Sequence, residues 1–344
     1  MFVGWRDLRF AKGRFALMGT VIVLITLLVG LLSGLTAGLG RQNISAITGL
    51  PADHIIFGGS KTSYADSAVT REQWERWANT SGVHAEPLGI TTTKASTGDK
   101  STAVTVFGVS PDSPLAPVDP HEGVVLSSTA AEELGARTGD TVALTGTGLR
   151  VTAVTEDEFY SHTPVVWTSL ETWRTQDAFA TVLALNASDV DLSAVDAAAG
   201  TTTVAKDDSL SGIGSYSAEN GSLQLMRGFL FAISALVIGA FFTVWTIQRS
   251  TDIAVLKALG ASTSSLLRDA LGQALVLLVG GTAVGTGLAV AIGLALGEAV
   301  PFVLTPMTVL VPAAVLVLLG LLGATLAVRR IVSVDPLTAL GSAR

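Results

Sequence analysis

Four stretches of this chain carry no Asp, Glu, Lys or Arg: between Arg14 and Arg41, Arg227 and Arg249, Asp269 and Glu298, and Glu298 and Arg329. Each is longer than the roughly 20 residues that cross a hydrocarbon core as a helix. In hydrocarbon a segment must satisfy its own backbone polar groups, so runs of this kind are restricted to helices. We place spans at 19–40, 223–248, 269–297 and 307–328. The apolar run of the first exceeds the roughly 7–15 residues of a signal-peptide core, so it is read as a retained span. Composition agrees, with 49% hydrophobic and 14% charged residues, where soluble domains carry about 25% charge. The absence of cysteine excludes disulfides, thiolate metal sites and a Cys nucleophile. A net charge of −7 argues against a nucleic-acid partner.

Lys and Arg near the span ends set orientation. The N-terminal segment 1–18, read as an amphipathic helix, has Arg6, Arg9, Lys12 and Arg14 against Asp7. The segment 249–268 has Arg249, Lys257 and Arg268 against Asp252 and Asp269 at its border, and the tail 329–344 has Arg329, Arg330 and Arg344 against Asp335. These predict both termini in the cytoplasm of a multi-pass plasma-membrane protein, with 298–306 as an outer turn. Residues 41–222 then lie outside, with ten basic against twenty-three acidic residues, a net of −13. A connection this long is a folded domain. Thr102–Val109 alternates as strands do, Val124–Leu126 and Thr141–Leu144 read as strands, and Ala130–Leu134 as a helix. Thr70 and Gln73 are spaced for a capping box on a helix over Thr70–Ala78. The expected fold is therefore four transmembrane helices with an α+β extracytoplasmic domain between the first two. The Ser/Gly/Asp-rich stretch Asp207–Asn220 is expected to lead into the second span.

Between spans two and three, Ser250 or Thr251 can cap a short helix, Asp252 suits its positive end, and Gly260 is placed to end it. Ile253, Leu256 and Leu259 recur at helical spacing. Spacing alone leaves two readings open: a helix lying in the lipid interface, or one seated in a groove of a cytoplasmic partner.

The run Asp252–Ser262 (DIAVLKALGAS) resembles the signature of FtsX-like, MacB-type ABC-transporter permeases. The tail from Val328-Arg329-Arg330-Ile331 to Asp335-Pro336-Leu337 is similar to that family's ending, and Trp5–Phe10 to its start. The four-span layout matches, and Val124–Leu144 resembles the family's periplasmic core domain. Asp252 stands where the family more often has Glu. The resemblance implies two copies of this chain with two copies of a separate ABC ATPase. ATP-driven closure would then move a lever carrying Asp252, Ile253, Val255, Leu256, Lys257, Leu259 and Gly260. The chain itself has no phosphate-binding loop: Gly59-Ser60-Lys61-Thr62 and Gly98-Asp99-Lys100-Ser101 lack the Gly before Lys that G-x-x-x-x-G-K-[ST] requires. It is read as a non-enzyme that depends on ATP through its partner, with no intrinsic cofactor or metal. Gly30, Gly34 and Gly38, with Gly281/Gly285 and Gly293/Gly297, have the spacing of close helix contacts. Those contacts fit pairing between copies or packing within one chain.

Charges at a membrane edge are costly and commonly functional. Glu219, Leu223, Met226 and Leu230 fall along one face of a helix, with Arg227 and Phe229 flanking it. Arg41 closes the first span, and the Asn220-Gly221 pair is a candidate break beneath Glu219. A carboxylate, a thioether, a ring and a guanidinium suit a flat, apolar, anionic molecule such as haem. Arg227 would pair with propionates, Phe229 would stack, and Met226, Tyr216 or Glu219 would approach iron. The plainer reading is snorkelling by Arg227 and Arg41, with Met226 as filler and Phe229 facing lipid. Resemblance to the haem-efflux permeases of Gram-positive bacteria favours haem as substrate. An FtsX-like mechanotransducer of a cell-wall hydrolase and a lipoprotein- or lipid-releasing permease are the alternatives. His54, His84, His121 and His162 have no ligand-like spacing and are expected to be scattered side chains.

Overall fold

The computed structural model describes residues 12–121, 123–174, 178–248, 255–257, 259–297 and 300–332. These form two compact units: an inserted unit, Leu39–Gly221, and a helical unit made of Met1–Gly38 and Ser222–Arg344.

The helical unit is dominated by four long helices, α1 (Lys12–Thr48), α7 (Gly214–Gln248), α8 (Thr263–Leu296) and α9 (Pro306–Val332). All four are long and apolar enough to cross a membrane. Ser262 caps α8 by accepting from Ser265 N. At the start of α9, Thr305 and Thr308 exchange hydrogen bonds, each hydroxyl accepting the other's N–H at 2.9 and 3.2 Å. Pro306 stands at the first helical position, where a missing N–H costs nothing. A small core gathers Phe15, Met18, Ile22, Ile238, Phe242, Trp245 and Leu278. Of the spaced glycines, all but Gly297, which has open space around it, make close contacts inside the chain. A Cβ on Gly281 would lie 2.7 Å from Ile22, one on Gly285 2.6 Å from the Val23 carbonyl, and one on Gly30 2.9 Å from Ala289. Gly34 and Gly293 both face the Phe302 ring, and a Cβ on Gly38 would collide with the Pro301 carbonyl.

The inserted unit is α+β, as the alternation of strand and helix signals predicts. Its strands are β1 (His54–Phe57), β2 (Val83–Thr97), β3 (Lys100–Val109), β4 (Val124–Ser127), β5 (Thr141–Leu144), β6 (Thr147–Thr155), β7 (Phe159–Tyr160), β8 (Thr163–Ser169), β9 (Val182–Ala187) and β10 (Thr202–Ala205). They run in the order β10-β1-β9-β2-β3-β8-β4-β6-β5, with β7 paired to β8. The pairs β3–β8 and β4–β6 are parallel and the others antiparallel. The 15-residue β2 also reaches β5, Ala95 opposite Leu144, so one half of the sheet curls back on itself. That half is filled by Val104, Leu126, Val142, Val166 and the apolar face of α3 (Ser128–Leu134). On α2 (Arg71–Ala78), Thr70 accepts from Gln73 N at 3.2 Å and Gln73 Oε1 accepts from Thr70 N at 2.9 Å. The capping box read from the sequence is therefore present. Three short helices, α4 (Leu170–Trp173), α5 (Leu192–Ala199) and α6 (Lys206–Ser209), precede α7.

A second core lies where the last turns of α1 enter the sheet. Ile47 and Leu50 pack with Phe57, Tyr64, Phe107, Tyr160 and Trp167. The rings meet edge to face, Phe57–Tyr64 at 5.0 Å, Tyr64–Tyr160 at 5.8 Å, Tyr160–Phe107 at 5.9 Å and Phe107–Trp167 at 5.1 Å. That geometry matches the ring quadrupoles. Tyr160, at the tip of β7, is thus anchored from both sides.

Candidate functional site

The two residues between β7 and β8, Ser161 and His162, have φ of 51° and 65°. Left-handed backbone at both central positions is what a two-residue type I′ hairpin turn requires, and it is normally supplied by Asn and Gly. Here the turn is shaped against α1. Ser161 N donates to the Asn43 carbonyl and His162 N to the Gln42 carbonyl, both at 2.9 Å. Phe159 N donates to Ser45 Oγ at 2.8 Å.

α7 starts at Gly214, inside the stretch expected as a lead-in, and runs on without interruption. The Asn220-Gly221 pair does not break it; a helical glycine costs only about 1 kcal/mol, which a helix of this length absorbs. The first turns of α7 therefore bring Ser215 and Glu219 to the hairpin. His162 Nε2 lies 3.0 and 3.2 Å from the two carboxylate oxygens of Glu219. The Asn43 amide donates to Glu219 Oε2 at 3.4 Å, and Asn43 Oδ1 accepts from Ser215 Oγ at 2.6 Å. Ser215 and Ser161 hydroxyls are 2.8 Å apart. With Ser215 donating to Asn43, Ser161 donates to Ser215, and the chain of hydrogen bonds has one direction. Asn43 Nδ2 also lies 3.2 Å from His162 Nε2. A carboxylate only accepts, so Nε2 donates its proton to Glu219 as the Asn43 amide does, and the approach of Nδ2 to Nε2 is a contact between two donors, not a hydrogen bond. Asn43 is 2% exposed, whereas the side chains of His162 and Glu219 are 31% and 45% exposed. The cluster thus has a buried anchor and an open end.

Sequence reading treats His162 as one of four scattered histidines and does not single out Asn43. The structure joins both to Glu219 across 57 and 176 positions. The other histidines lie elsewhere: His84 is near Glu86, His121 near Asp119, and His54 begins β1. Among the described residues no group of three His, Asp or Glu could hold a metal ion. Nearby, Glu158 accepts from Trp167 Nε1 at 2.8 Å. Burial raises its carboxyl pKa, outweighing the lowering by that hydrogen bond.

Further along α7, Leu223, Arg227 and Leu230 are half-buried, while Met226 and Phe229 are exposed. The expected stripe is divided, with Arg227 on the inward side and Met226 on the outward one. Arg41 is exposed on α1. In the segment after α7, Val255–Lys257 form a helical turn. Gly260, at φ 93°, ends it: Gly260 N donates to the Lys257 carbonyl and Ala261 N to that of Leu256, at 3.1 and 3.0 Å. This is the double hydrogen bond of a Schellman cap, and Gly260 stops the helix as its sequence position predicts. Val255, Leu256 and Leu259 are exposed. Asp252 and Ile253, residues 1–11 of the expected N-terminal helix, and tail residues 333–344 lie outside the described residues.

Residues 15–202, more than half of the chain, match the MacB-like periplasmic core domain, and residues 225–336 match the FtsX-like permease C-terminal region. The chain is 28% identical over 352 residues to HrtB of Staphylococcus haemolyticus, a permease protein named for a hemin transport system, covering 99% of each. It is 26% identical to the HrtB of Staphylococcus epidermidis, again over 99% of both chains. An uncharacterized ABC transporter permease of Mycobacterium tuberculosis is 25% identical over 363 residues, with 99% of each covered. The periplasmic region of MacB from Actinobacillus actinomycetemcomitans aligns at 14% identity and a TM-score of 0.36, over 48% of this chain and 94% of that one. The chain belongs to the FtsX-like, MacB-type permeases of ABC transporters.

Proposed function

We propose that this permease exports haem from the membrane, driven by a separate ATPase. The observation that carries the reading is the end-to-end similarity to permeases named for hemin transport. The Glu219 cluster supports it, because it offers a carboxylate at an accessible edge of a helix that continues through Leu223, Met226, Arg227, Phe229 and Leu230. Glu219 or Met226 would approach the iron, and Arg227 would meet a propionate. A permease of this family works with an ATPase subunit. We assign two copies of each chain to the complex and place both termini and the Val255–Gly260 turn in the cytoplasm. A planar ligand would then meet the same residues twice.

Titration of the purified permease–ATPase complex with haem tests the substrate. A shifted, saturable Soret band that Glu219→Ala weakens is the expected result, and an unchanged Soret band refutes it. Docking of the ATPase is tested by Leu256→Asp. An unpaired charge on the exposed apolar face would be desolvated in the ATPase groove, so ATPase recovered with the permease should fall sharply without loss of membrane insertion. Wild-type recovery removes the turn from the docking surface.

A further inference from the structure

We infer that His162 is the positioning residue for Glu219: it holds carboxylate oxygen Oε2 and leaves Oε1 as the oxygen offered to the ligand. This rests on the reading of Glu219 as a substrate contact. Oε2 is the oxygen nearer to His162 Nε2, at 3.0 Å against 3.2 Å, and it alone also receives the Asn43 amide. Oε1 shares only the longer half of the histidine contact. When a ligand engages Oε1, the Nε2–H passes wholly to Oε2, and the carboxylate keeps its orientation. A group that binds metal through one carboxylate oxygen is ordinarily steered by hydrogen bonds to the other, and loss of such a partner costs affinity at the ligand itself.

The hairpin is built to make His162 do this. Its imidazole is aimed by a turn whose two N–H groups are committed to the carbonyls of Gln42 and Asn43, and Tyr160, immediately before the turn, is locked among Tyr64 and Phe107. The donor therefore comes from the sheet, the acceptor from α7 and the buried amide from α1. Three separate elements set one carboxylate, and no residue adjacent to Glu219 in sequence does so.

Two substitutions separate positioning from folding. Asparagine tolerates left-handed backbone, so His162→Asn keeps the turn, but its amide stops one atom short of the Nε2 position. His162→Gln places an amide nitrogen the same number of bonds from Cβ as Nε2. In haem titrations of the full permease–ATPase complex, His162→Asn should weaken binding by roughly 10- to 100-fold, the range typical of outer-shell partners. It should also move the Soret band toward that of Glu219→Ala, while His162→Gln recovers most of both. The unfolding temperature of the haem-free complex should be similar for the two His162 variants. If His162→Asn binds haem with native affinity and spectrum while Glu219→Ala does not, the positioning role is wrong and the substrate reading stands. If Glu219→Ala itself binds natively, both fall. Equal losses in His162→Asn and His162→Gln, accompanied by equal drops in unfolding temperature, would make His162 a purely structural residue and overturn the inference.

Discussion

The inserted unit hides large rings: Trp77, Trp167, Phe57 and Phe107 are each 1% exposed or less. In the helical unit Leu236, Leu294, Met307 and Leu326 are at least 70% exposed. The inserted unit closes its interior with rings and branched chains, whereas the helical unit makes its tightest contacts through glycine. The solvent explains the difference. Water drives apolar surface together in proportion to its area. Lipid tails are as apolar as leucine, so helices in a membrane gain little by hiding leucine and associate through close backbone approach instead. A size-reducing substitution should therefore wound the first unit, and a size-increasing one the second.

Substitutions in each region sharpen that contrast. Phe107→Ala removes a ring 5.1 Å from Trp167 and 5.9 Å from Tyr160. It should cost about 3–5 kcal/mol, read as a lowered denaturation midpoint of the purified chain and rapid proteolysis within residues 39–221. Gly285→Val should cost about 1–3 kcal/mol by overpacking, because even its Cβ would sit 2.6 Å from the Val23 carbonyl. Gly287→Val, with open space around Gly287, is the matched control and should cost far less. If the two behave alike, the glycine seam is not what holds α8 to α1.

Glu158→Gln probes a smaller term with a definite sign. Burial raises the Glu158 pKa above its ordinary 4.5, so the folded state holds its proton more tightly than the unfolded chain. Stability then falls as pH rises from the unfolded value through the folded one, and stays reduced above it. The glutamine variant, which still accepts from Trp167, should melt higher than the native chain at pH 7, with that advantage gone below about pH 4. An advantage that persists at low pH would assign the effect to packing. The smallest change is expected from Leu236→Ala, within about 0.5 kcal/mol as for other exposed positions. A large loss there, dependent on protein concentration, would reveal that a second copy covers that face.

Elements whose signals are local were readable in the sequence. Thr70 and Gln73 specify their own cap, Gly260 its own Schellman turn, and the alternation in Thr102–Val109 its own strand. The glycine spacing announced close contacts but left the partner open, because the same short side chain serves an internal seam or an external one. The cluster at Glu219 was half legible. A lone carboxylate at the start of a span is visible as an anomaly, whereas its partners are set by sheet order, which places β7 and β8 beside the ends of two helices. Ser161 and His162 carry no turn signature either; a Ser-His pair is forced into left-handed backbone by its contacts with α1. The start of α7 at Gly214, inside the stretch Asp207–Asn220, was hidden by its Ser and Gly content, where tertiary packing of Leu210, Ile213 and Tyr216 overrides a weak local preference.

The Ser161–His162 turn makes hairpin formation and helix docking interdependent. Each of two non-glycine residues at positive φ carries a conformational penalty of about 1–2 kcal/mol, and the hydrogen bonds that offset it come from Gln42 and Asn43 rather than from the hairpin. An Asn-Gly sequence at these positions would let the hairpin close alone. The native pair closes it fully only against the helix, so the turn works as a template contact, and the same two residues register whether α1 is in place.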